Sequence, residues 1–519
     1  MPGDETAMQG SVLRHYDWIA NHALRRPEAI AAVDLGSGAR FTYSAFHDRI
    51  DAIAAYLADR CGIGMGERVA VLAQASVDVF AIQFACFRVG AIFVPLNIRL
   101  AAPELRAILA NCTPKLLLHD DAFAALAEQA APDGNATRLD SIGQDTAFVR
   151  AATGGQRLAR RAEMALHDVA AILYTSGTTG LPKGVMIPYA MNLFNAVNFN
   201  AIVKISHHSV HLCALPLFHI AGLNVYSNPV FHAGGTVVVM PAFDPGAALR
   251  ALGDPDLGIN LFFGAPAHYQ FAAQHPDFAR TDLSRLAHAC VAAASPPLSV
   301  IEAWHKQGVM LVQAYGMTET GPVVTYLDQA DAVRKIGSVG KPTLHVELRL
   351  VDADGHDIED STVGEIWARG PSITPGYWNN PEATAAAFVD GWLRTGDAAT
   401  RDTEGYFFIV DRWKDMYISG GENVYPAEVE NVLSRLPNVV EAAVIGVPSA
   451  RWGEVGRAIV VAKPDANLSV EDVLTHCGGQ LARYKLPHDV VFTDALPRNA
   501  AGKIHKPTLR QNFGGPALA

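Results

Sequence analysis

The chain has 519 residues, of which 50% are hydrophobic and 18% are charged, and its formal net charge at pH 7 is −11. This length exceeds what one hydrophobic core organises, so at least two domains are expected, and the composition is that of a globular protein. A mildly acidic chain seldom concentrates the basic surface that phosphate backbones need, so a nucleic-acid partner is disfavoured.

The most apolar stretch, 82–98, is interrupted by Arg88, Gly90 and Pro95. It therefore predicts no transmembrane helix. The first ten residues lack a basic segment followed by an apolar one, so no secretory signal is expected. The six cysteines form no CxxC pair and are expected to be reduced core residues. These features favour a cytoplasmic protein, for which a homodimer is one expected assembly.

Helix-like and strand-like segments alternate along the first 400 residues. Apolar spacing predicts helices over 46–57 and 77–89. Short β-rich runs predict strands over 68–72, 91–95, 170–174, 210–215, 236–240 and 261–263. This alternation is typical of an α/β domain with mostly parallel sheets and covering helices.

The pattern changes at the charged segment 411–415. Beyond it, apolar spacing predicts a helix ending near Leu436, strands over 439–447, 458–462 and 490–493, and a helix over 469–481. These elements make an α+β unit of about a hundred residues, enough for its own core. We therefore expect a large domain over 1–411 and a small domain over 412–519.

A segment rich in small residues directly follows the predicted strand 170–174. Its hydroxyl residues and glycines let backbone amides converge on an anion, and a lysine adds positive charge. A Walker A loop is excluded because Gly184, and no Ser or Thr, follows Lys183. A flexible linker explains the glycines but not the Pro-Lys-Gly that follows them, so a polyphosphate site is favoured. The segment comprises Thr175, Ser176, Gly177, Thr178, Thr179, Gly180 and Lys183.

Seven further motifs follow in order. They are LPLFHIAG at 215–222, YGMTET at 315–320, GYWN at 376–379, RTGD at 394–397, DRWKD at 411–415, GGENVYP at 420–426 and LPRNAAGK at 496–503. With the loop, they resemble the signatures of the adenylate-forming superfamily, which includes acyl- and aryl-CoA synthetases, firefly luciferase and peptide-synthetase adenylation domains. The likeness is greatest to bacterial acid–CoA ligases of the fatty-acyl or aryl, feruloyl-like type. It covers nearly the whole chain and implies a large AMP-binding domain followed by a small, mobile C-terminal domain.

The resemblance implies a site for ATP and Mg²⁺. Tyr315 offers an aromatic face for adenine, Asp397 accepts from the ribose hydroxyls, and Arg412 donates to ribose or phosphate. Glu319, assisted by Thr318, offers a carboxylate oxygen to Mg²⁺. Taken singly, these residues are equally a core tyrosine, a turn aspartate and a helix-start glutamate, and only the ordered set favours the nucleotide. The implied nucleotide-binding set is completed by the loop residues, Ala294, Gly316 and Lys503.

The resemblance also implies roles in catalysis for the end of the chain. Lys503 would bridge the substrate carboxylate and the α-phosphate, although an isolated lysine in a loop is ordinarily a solvated one. Lys414 matches the hinge about which the small domain rotates after the adenylate forms. Gly421 and Glu422 would then enter the site and line the tunnel for the thiol.

The acyl pocket is expected to be lined by Phe218, His219, Tyr226, Ala292 and Ala293. The stretches 212–240, 289–303 and 311–325 contain no Lys or Arg, and the first contains no Asp or Glu. A second carboxylate or an ammonium group would lack a counter-ion there, so dicarboxylates and amino acids are disfavoured.

An apolar or aromatic monocarboxylate, with or without a hydroxyl, remains, although these side chains are equally ordinary sheet core. Three alanines at 292–294 stand where many relatives have a Gly-Gly-Ala-Pro turn, a departure from the family pattern at these positions.

The leading hypothesis is an ATP-dependent acid–CoA ligase that forms an acyl-adenylate and pyrophosphate, and then an acyl-CoA and AMP. One alternative is a free-standing adenylation enzyme that loads a separate carrier protein. Two others are a phosphate-loop ATPase or kinase, which would release ADP, and a binding protein without catalysis. The intact Lys183, Glu319, Asp397 and Lys503 argue against the last.

Overall fold

The computed structural model describes the chain in segments separated by short gaps. Within them, no helix combines the length and apolar character needed to cross a membrane. The described segments are residues 13–131, 138–143, 146–175, 182–292, 296–412, 415–419, 422–449, 451–464, 466, 468–478, 480–498 and 503–515.

The α-helices are short to medium in length and lie throughout the chain. They are α1 (Trp18–Arg25), α2 (Tyr43–Ala55), α3 (Val77–Val89), α4 (Ala102–Cys112), α5 (Ala124–Ala130), α6 (Ala147–Thr153), α7 (Tyr189–Val203), α8 (Ser227–Ala233), α9 (Pro245–Gly253), α10 (Pro266–Gln274), α11 (Leu298–Lys306), α12 (Pro381–Ala387), α13 (Pro426–Leu433), α14 (Val470–Gly478) and α15 (Lys506–Phe513).

The strands alternate with these helices up to Pro342 and follow one another more directly after it. They are β1 (Ile30–Asp34), β2 (Arg40–Thr42), β3 (Arg68–Leu72), β4 (Ile92–Pro95), β5 (Leu116–His119), β6 (Arg138–Ser141), β7 (Val169–Thr175), β8 (Lys183–Pro188), β9 (Val210–Cys213), β10 (Thr236–Val239), β11 (Leu261–Gly264), β12 (His288–Val291), β13 (Leu311–Tyr315), β14 (Thr325–Tyr326), β15 (Lys341–Pro342), β16 (Glu347–Val351), β17 (Gly364–Arg369), β18 (Phe388–Val389), β19 (Trp392–Arg401), β20 (Phe407–Arg412), β21 (Tyr417–Ser419), β22 (Glu422–Val424), β23 (Val439–Ser449), β24 (Gly453–Ala462) and β25 (Asp489–Phe492).

Two mostly parallel sheets are built from the strands between Ile30 and Pro342. One has the order β6-β5-β3-β4-β7-β8, in which only the β7–β8 pair is antiparallel. The other has the order β15-β14-β13-β12-β11-β9-β10-β1-β2, parallel from β13 to β1. The predicted α/β fold with mostly parallel sheets is therefore confirmed.

The helix α3 joins these two sheets. Its sequence is apolar on nearly every side and almost all of its residues are buried, as expected for a helix packed between layers. It ends at Gly90, whose left-handed φ of 74° suits glycine. At its start, the Val77 amide donates to the Asp34 carboxylate at the end of β1, over 2.9 Å. One carboxylate thus fixes the helix of one sheet against a strand of the other.

Beyond Glu347 the sheets are largely antiparallel. Strands β16, β17, β19 and β18 are adjacent in that order, and β20 also pairs with β19. From Tyr417 onward the chain forms a further sheet, β22-β21-β24-β23 with β25 beside β24, covered by helices over its own apolar clusters. The predicted small α+β unit therefore has its own core, while the exact boundary at 411/412 stays a prediction.

Most predicted elements coincide with observed ones, and the differences lie at their ends. The helix predicted over 46–57 begins earlier, at Tyr43, because the Thr42 side chain caps it by accepting from the Ala45 amide. The strand predicted over 210–215 ends at Cys213. The strand predicted from Ala458 begins at Gly453, because β24 continues the antiparallel pairing with β23 up to Ser449.

We expect the free energy of unfolding to fall as the pH drops from about 6.5 towards 4. Burial lowers the pKa of His211 to about 3, although its Nδ1 donates to the Leu261 carbonyl oxygen at 3.3 Å. Because the unfolded chain binds a proton that the folded protein excludes, each such imidazole lowers stability by up to about 1.4 kcal/mol per pH unit.

Urea unfolding at pH 7, 6 and 5 measures this effect. His211→Gln should flatten the decline, whereas His167→Gln, which replaces an exposed histidine, should leave it unchanged. Equal slopes for the two variants would contradict the assignment.

Candidate active site

The chemistry-bearing motifs begin where parallel strands end. Tyr315 is the last residue of β13, and Val291 and Cys213 end β12 and β9 in the same sheet. Because parallel strands present their carboxyl ends at one edge, the segments that follow them meet there. This edge brings together the predicted motifs after Tyr315, Val291 and Cys213.

The ends of the predicted phosphate loop are held by a hairpin. Thr175 and Lys183 are register partners in the antiparallel β7–β8 pair, and the Thr175 hydroxyl donates to the Lys183 carbonyl oxygen at 3.4 Å. At Gly184 an added Cβ would lie 2.8 Å from Ile172 and 3.0 Å from the Tyr174 ring. A larger residue would clash there. Glycine at 184 therefore allows the close packing of the hairpin that holds the two ends of the loop.

Tyr377 connects the hairpin to Glu319. Its backbone forms an antiparallel bridge with Val185 of β8, and its hydroxyl donates to a Glu319 carboxylate oxygen at 2.9 Å. The Lys183 ammonium lies 5.1 Å from the centre of the Tyr377 ring, a distance typical of a cation–π contact. Glu319 is only 5% exposed. The predicted phosphate-loop lysine and the predicted metal-binding carboxylate thus share one tyrosine as a neighbour.

Glu319 lies in a tight turn that has no room for a side chain at position 316. The 3₁₀ turn Thr318–Thr320 follows Gly316, where an added Cβ would lie 1.8 Å from the Pro322 carbonyl oxygen. The Thr320 hydroxyl accepts from the Met317 amide at 2.9 Å. Glycine is therefore required at 316 by packing, and this requirement positions Thr318 and Glu319.

Tyr315 and Asp397 meet, as the motifs predict for residues of one nucleotide site. The Tyr315 hydroxyl donates to an Asp397 carboxylate oxygen at 2.6 Å. Asp397 lies in β19 opposite Arg412 of β20 in the antiparallel register. The RTGD and DRWKD motifs are therefore adjacent in the sheet, and an aromatic ring, a buried carboxylate and the backbone of Arg412 lie together.

His219 lies where the sequence predicts the acyl end of the site. Burial, followed by the positive charges of Lys503 and Arg99, lowers its pKa to about 4, so its imidazole is neutral at pH 7. Its Nε2 atom is buried and has no hydrogen-bond partner among the described residues. The charge of Lys503, in the last motif, therefore affects the pKa of His219, in the LPLFHIAG motif, although the two motifs are far apart in sequence.

The predicted acyl-pocket residues are largely buried. Phe218 and Ala292 are 7% and 9% exposed, and Tyr226 is fully buried. The Tyr226 and Tyr326 hydroxyls lie 3.0 Å apart in a hydrogen bond. Tyr226 thus belongs to the packed wall of this region.

Several predicted site residues lie outside the described residues. They are Ser176, Gly177, Thr178, Thr179, Gly180, Ala293, Ala294, Lys414 and Gly421, together with the side chains of Arg412 and Glu422. Their roles stay predictions.

Comparison with known proteins adds independent information. The model of the family described as AMP-binding enzyme matches residues 19–378, and that of its C-terminal domain matches residues 428–503. The chain is 39% identical over 501 residues to a feruloyl-CoA synthase of Amycolatopsis, covering 96% of this chain and 98% of that protein. This chain belongs to the AMP-binding enzyme family.

Two further comparisons agree with this membership. An indoleacetate–CoA ligase of Aromatoleum aromaticum is 39% identical over 505 residues, covering 95% of this chain and 97% of that protein. The Bacillus subtilis o-succinylbenzoate CoA synthetase MenE, solved with ATP and a magnesium ion, has a TM-score of 0.84 and 30% identity, covering 96% of this chain and all of that one. The predicted membership of the adenylate-forming superfamily, and with it the AMP-forming acid–thiol ligase class, is confirmed.

The structure also identifies residues of this AMP-binding enzyme that sequence reasoning missed. Arg99, in the segment after β4, lies close enough to His219 and His268 for its charge to lower the pKa of both. Tyr377 belongs to the GYWN motif, but the motif itself gives no sign of the hydrogen bond to Glu319. Neither contact has a local sequence signal, because each joins segments distant in the chain.

A buried ionic cluster lies where the predicted hinge begins. The Lys506 ammonium is 3.0 Å from a Glu430 carboxylate oxygen and 4.0 Å from one of Asp411, and the Asp411 carboxylate also accepts from the Ala427 amide at 2.8 Å. Asp411 belongs to β20, and the others to the small α+β unit. These contacts hold the unit in the present orientation.

We expect Tyr377→Phe to lower kcat/KM for adenylate formation by about tenfold to a hundredfold, because a hydrogen bond to a charged group contributes about 1.5–3 kcal/mol. The ring and its contact with Lys183 remain, so the loss should come from Glu319 and should be accompanied by a higher Mg²⁺ requirement. Acid-dependent exchange of pyrophosphate into ATP, measured over a range of Mg²⁺, reports both effects.

Tyr43→Phe is the matched control, since it removes a buried hydroxyl that donates to the Gly235 carbonyl oxygen at 2.8 Å, away from the site. It should retain the exchange rate. If Tyr377→Phe exchanged pyrophosphate into ATP at the wild-type rate at every Mg²⁺ concentration, the positioning role of Tyr377 would be refuted.

Proposed function

We propose that this enzyme uses ATP to adenylate an apolar or aromatic monocarboxylic acid and then transfers the acyl group to coenzyme A. The observation that carries the proposal is that the Tyr315 hydroxyl holds Asp397 and the Tyr377 hydroxyl holds Glu319, both beside the sheet edge after β13. A cation, a neutral imidazole and two buried carboxylates there suit an acid and a nucleotide bound side by side.

In the first step, a carboxylate oxygen of the acid attacks the α-phosphorus of ATP, and the bond to pyrophosphate breaks. Asp397, held by Tyr315, would accept from the ribose hydroxyls, and Lys183 would approach the phosphates from beside Tyr377. Lys503 would hold the two anionic reactants together and offset the charge that develops between them. Because His219 is uncharged at pH 7, it would add no second cation to compete for the carboxylate.

Mg²⁺ fits the chemistry of Glu319. A buried carboxylate offers an oxygen ligand of the kind this cation prefers, and the Tyr377 hydroxyl orients it. The ion, when bound, neutralises charge on the nucleotide phosphates. We propose Glu319 as its protein ligand, and the solved relative that contains ATP and a magnesium ion supports the choice of this cation.

In the second step, the thiol sulfur attacks the acyl carbon, its proton passes to solvent, and the bond to AMP breaks. Lys503 must then leave the site so that the thiol can enter it, and this requires the small domain to move. We propose Lys414 as the hinge and Gly421 and Glu422 as residues that enter after rotation. The cluster of Lys506, Glu430 and Asp411 would have to rearrange during this motion.

The acid is proposed to have a neutral tail. The relatives named for feruloyl-CoA and indoleacetate act on aromatic acids, and the described wall residues Phe218, Tyr226 and Ala292 are apolar or aromatic. Arg99 is exposed to solvent, where its interaction with a second carboxylate would be screened. A cytoplasmic location and a homodimer complete the proposal.

We expect Lys503→Ala to abolish pyrophosphate release with acid and ATP, yet to form acyl-CoA from a supplied acyl-adenylate at nearly the wild-type rate. The reason is that Lys503 serves only the first step. Lys463→Ala, which removes an exposed lysine of the same domain, should affect neither half-reaction. Equal loss of both by Lys503→Ala would contradict the role.

A panel of acids should be adenylated at least about tenfold faster when the tail is neutral, because an unpaired second carboxylate is costly to bury. Release of AMP and pyrophosphate, and transfer to CoA or to a purified acyl-carrier protein, are measured in parallel. AMP, pyrophosphate and acyl-CoA are the expected products. Release of ADP, preference for dicarboxylates, or transfer only to the carrier would each overturn the corresponding part of the proposal.

A further inference from the structure

One lysine joins the segment that carries Lys503 to the strand that comes just before the proposed hinge. Lys506 is the first residue of α15 and follows Lys503 by three positions. Its ammonium lies 3.0 Å from a Glu430 carboxylate oxygen and 4.0 Å from a carboxylate oxygen of Asp411. The side chains of Lys506 and Asp411 are only 14% and 7% exposed, so salt and water screen their attraction little. Lys506 is therefore held from two sides.

The segment between Lys503 and Lys506 is short and is paired at its start. Ile504, the residue after Lys503, forms an antiparallel bridge with Arg498 at the other end of the last motif. Three residues of extended chain span at most about 11 Å. A displacement of Lys506 is therefore passed on to Lys503.

The other end of the contact is built into the sheet that carries Asp397. Asp411 lies in β20 opposite Ala398 of β19, which is the residue after Asp397. Asp411 precedes the proposed hinge at Lys414 in the chain, whereas Lys506 follows it. The attraction between Asp411 and Lys506 therefore crosses the proposed hinge and links the Lys503 segment to the sheet of the proposed nucleotide site.

Lys506 separates two carboxylates that come from opposite sides of the proposed hinge. Glu430 is fixed within the small α+β unit, because its carboxylate accepts from the Val444 amide at 2.8 Å. Burial raises the pKa of Glu430, the charge of Lys506 lowers it, and the charge of Asp411 raises it again. Without the ammonium, the two carboxylates would repel each other. Lys506 thus converts a repulsive contact across the proposed hinge into an attractive one.

We propose that Lys506 is a positioning residue for adenylate formation, whose ion pairs hold the small domain in the orientation that presents Lys503 to the site. This inference rests on the proposed ligase function and adds a residue to its first step. In the present orientation, the charge of Lys503 contributes to the lowered pKa of His219. Because Lys503 must leave before the thiol enters, a link that holds it favours the first step over the second.

Lys506→Met removes the ammonium and keeps an unbranched side chain. Acid-dependent exchange of pyrophosphate into ATP should fall at least about tenfold in kcat, because the orientation that presents Lys503 becomes less populated. The KM for ATP should stay within about twofold, since Lys183, Glu319 and Asp397 are unchanged. Formation of acyl-CoA from a supplied acyl-adenylate should be retained. Lys506→Arg, which restores a cation, should recover most of the lost exchange.

The probes are ferulate, indole-3-acetate and octanoate, which are monocarboxylates with neutral tails, together with their synthetic adenylates. Both half-reactions are measured for every variant with the acid that the wild-type enzyme exchanges fastest.

Asp411→Asn tests the contact across the proposed hinge by itself. The Asp411 carboxylate accepts from the Ala427 amide at 2.8 Å, and an asparagine oxygen can still do so. Lys506 also keeps its pair with Glu430, so this variant should fold even if Lys506→Met does not. It should lower the exchange rate about threefold or more and retain thioester formation.

Arg510→Met is the matched control. Arg510 lies one turn after Lys506 in α15, and its guanidinium donates to an Asp415 carboxylate oxygen at 2.8 Å. Both partners of this ion pair follow the proposed hinge at Lys414, so the pair does not cross it. The variant loses an ion pair of the same helix and should keep the wild-type ratio of the two half-reactions.

The outcomes separate this inference from the ligase function. Equal loss of both half-reactions in Lys506→Met, wild-type exchange by Asp411→Asn, or an equally altered ratio in Arg510→Met overturns the positioning role of Lys506 and leaves the ligase intact. If the wild-type enzyme shows no acid-dependent exchange with any of the three acids, the proposed ligase function is overturned and this inference with it.

Discussion

The hydrogen bond from Tyr377 to Glu319 joins the parts of the proposed nucleotide site. Its tyrosine is fixed by backbone pairing with β8, directly after the loop, and its ring lies under Lys183. Its acceptor is fixed by the turn that Gly316 makes against Pro322. A buried carboxylate needs such a partner, since desolvation without one is costly. Loss of this contact would uncouple the phosphate loop from the proposed metal ligand even if both segments kept their own folds.

The arrangement of the site also follows from the parallel sheet. Strands that run the same way bring their carboxyl ends to one edge, so residues after β9, β12 and β13 become neighbours without being close in sequence. Asp397 reaches the same place from an antiparallel sheet, through the Tyr315 hydroxyl. The first group is placed by topology alone, whereas Asp397 is placed by a specific side-chain contact.

This difference explains how much the sequence could predict. The strand 68–72 and the helix 77–89 were predicted with the bounds that the structure gives them, because continuous apolar runs flanked by turn residues carry their own signal. The site motifs were found as contiguous strings. Arg99 was not, because an arginine after a strand gains a role only when distant segments pack against it. The small domain's placement relative to His219 likewise has no local signature.

Charge and neutrality divide the site between its two substrates. On the side proposed for the nucleotide lie Lys183, Glu319 and Asp397. On the side proposed for the acid, burial keeps His219 uncharged at pH 7, and the buried residues Phe218 and Ala292 carry no charge. A charged tail would have to lose its hydration against a wall that cannot neutralise it. A neutral wall therefore disfavours charged tails on the proposed acid, whereas Lys183 on the other side suits the phosphates of the proposed nucleotide.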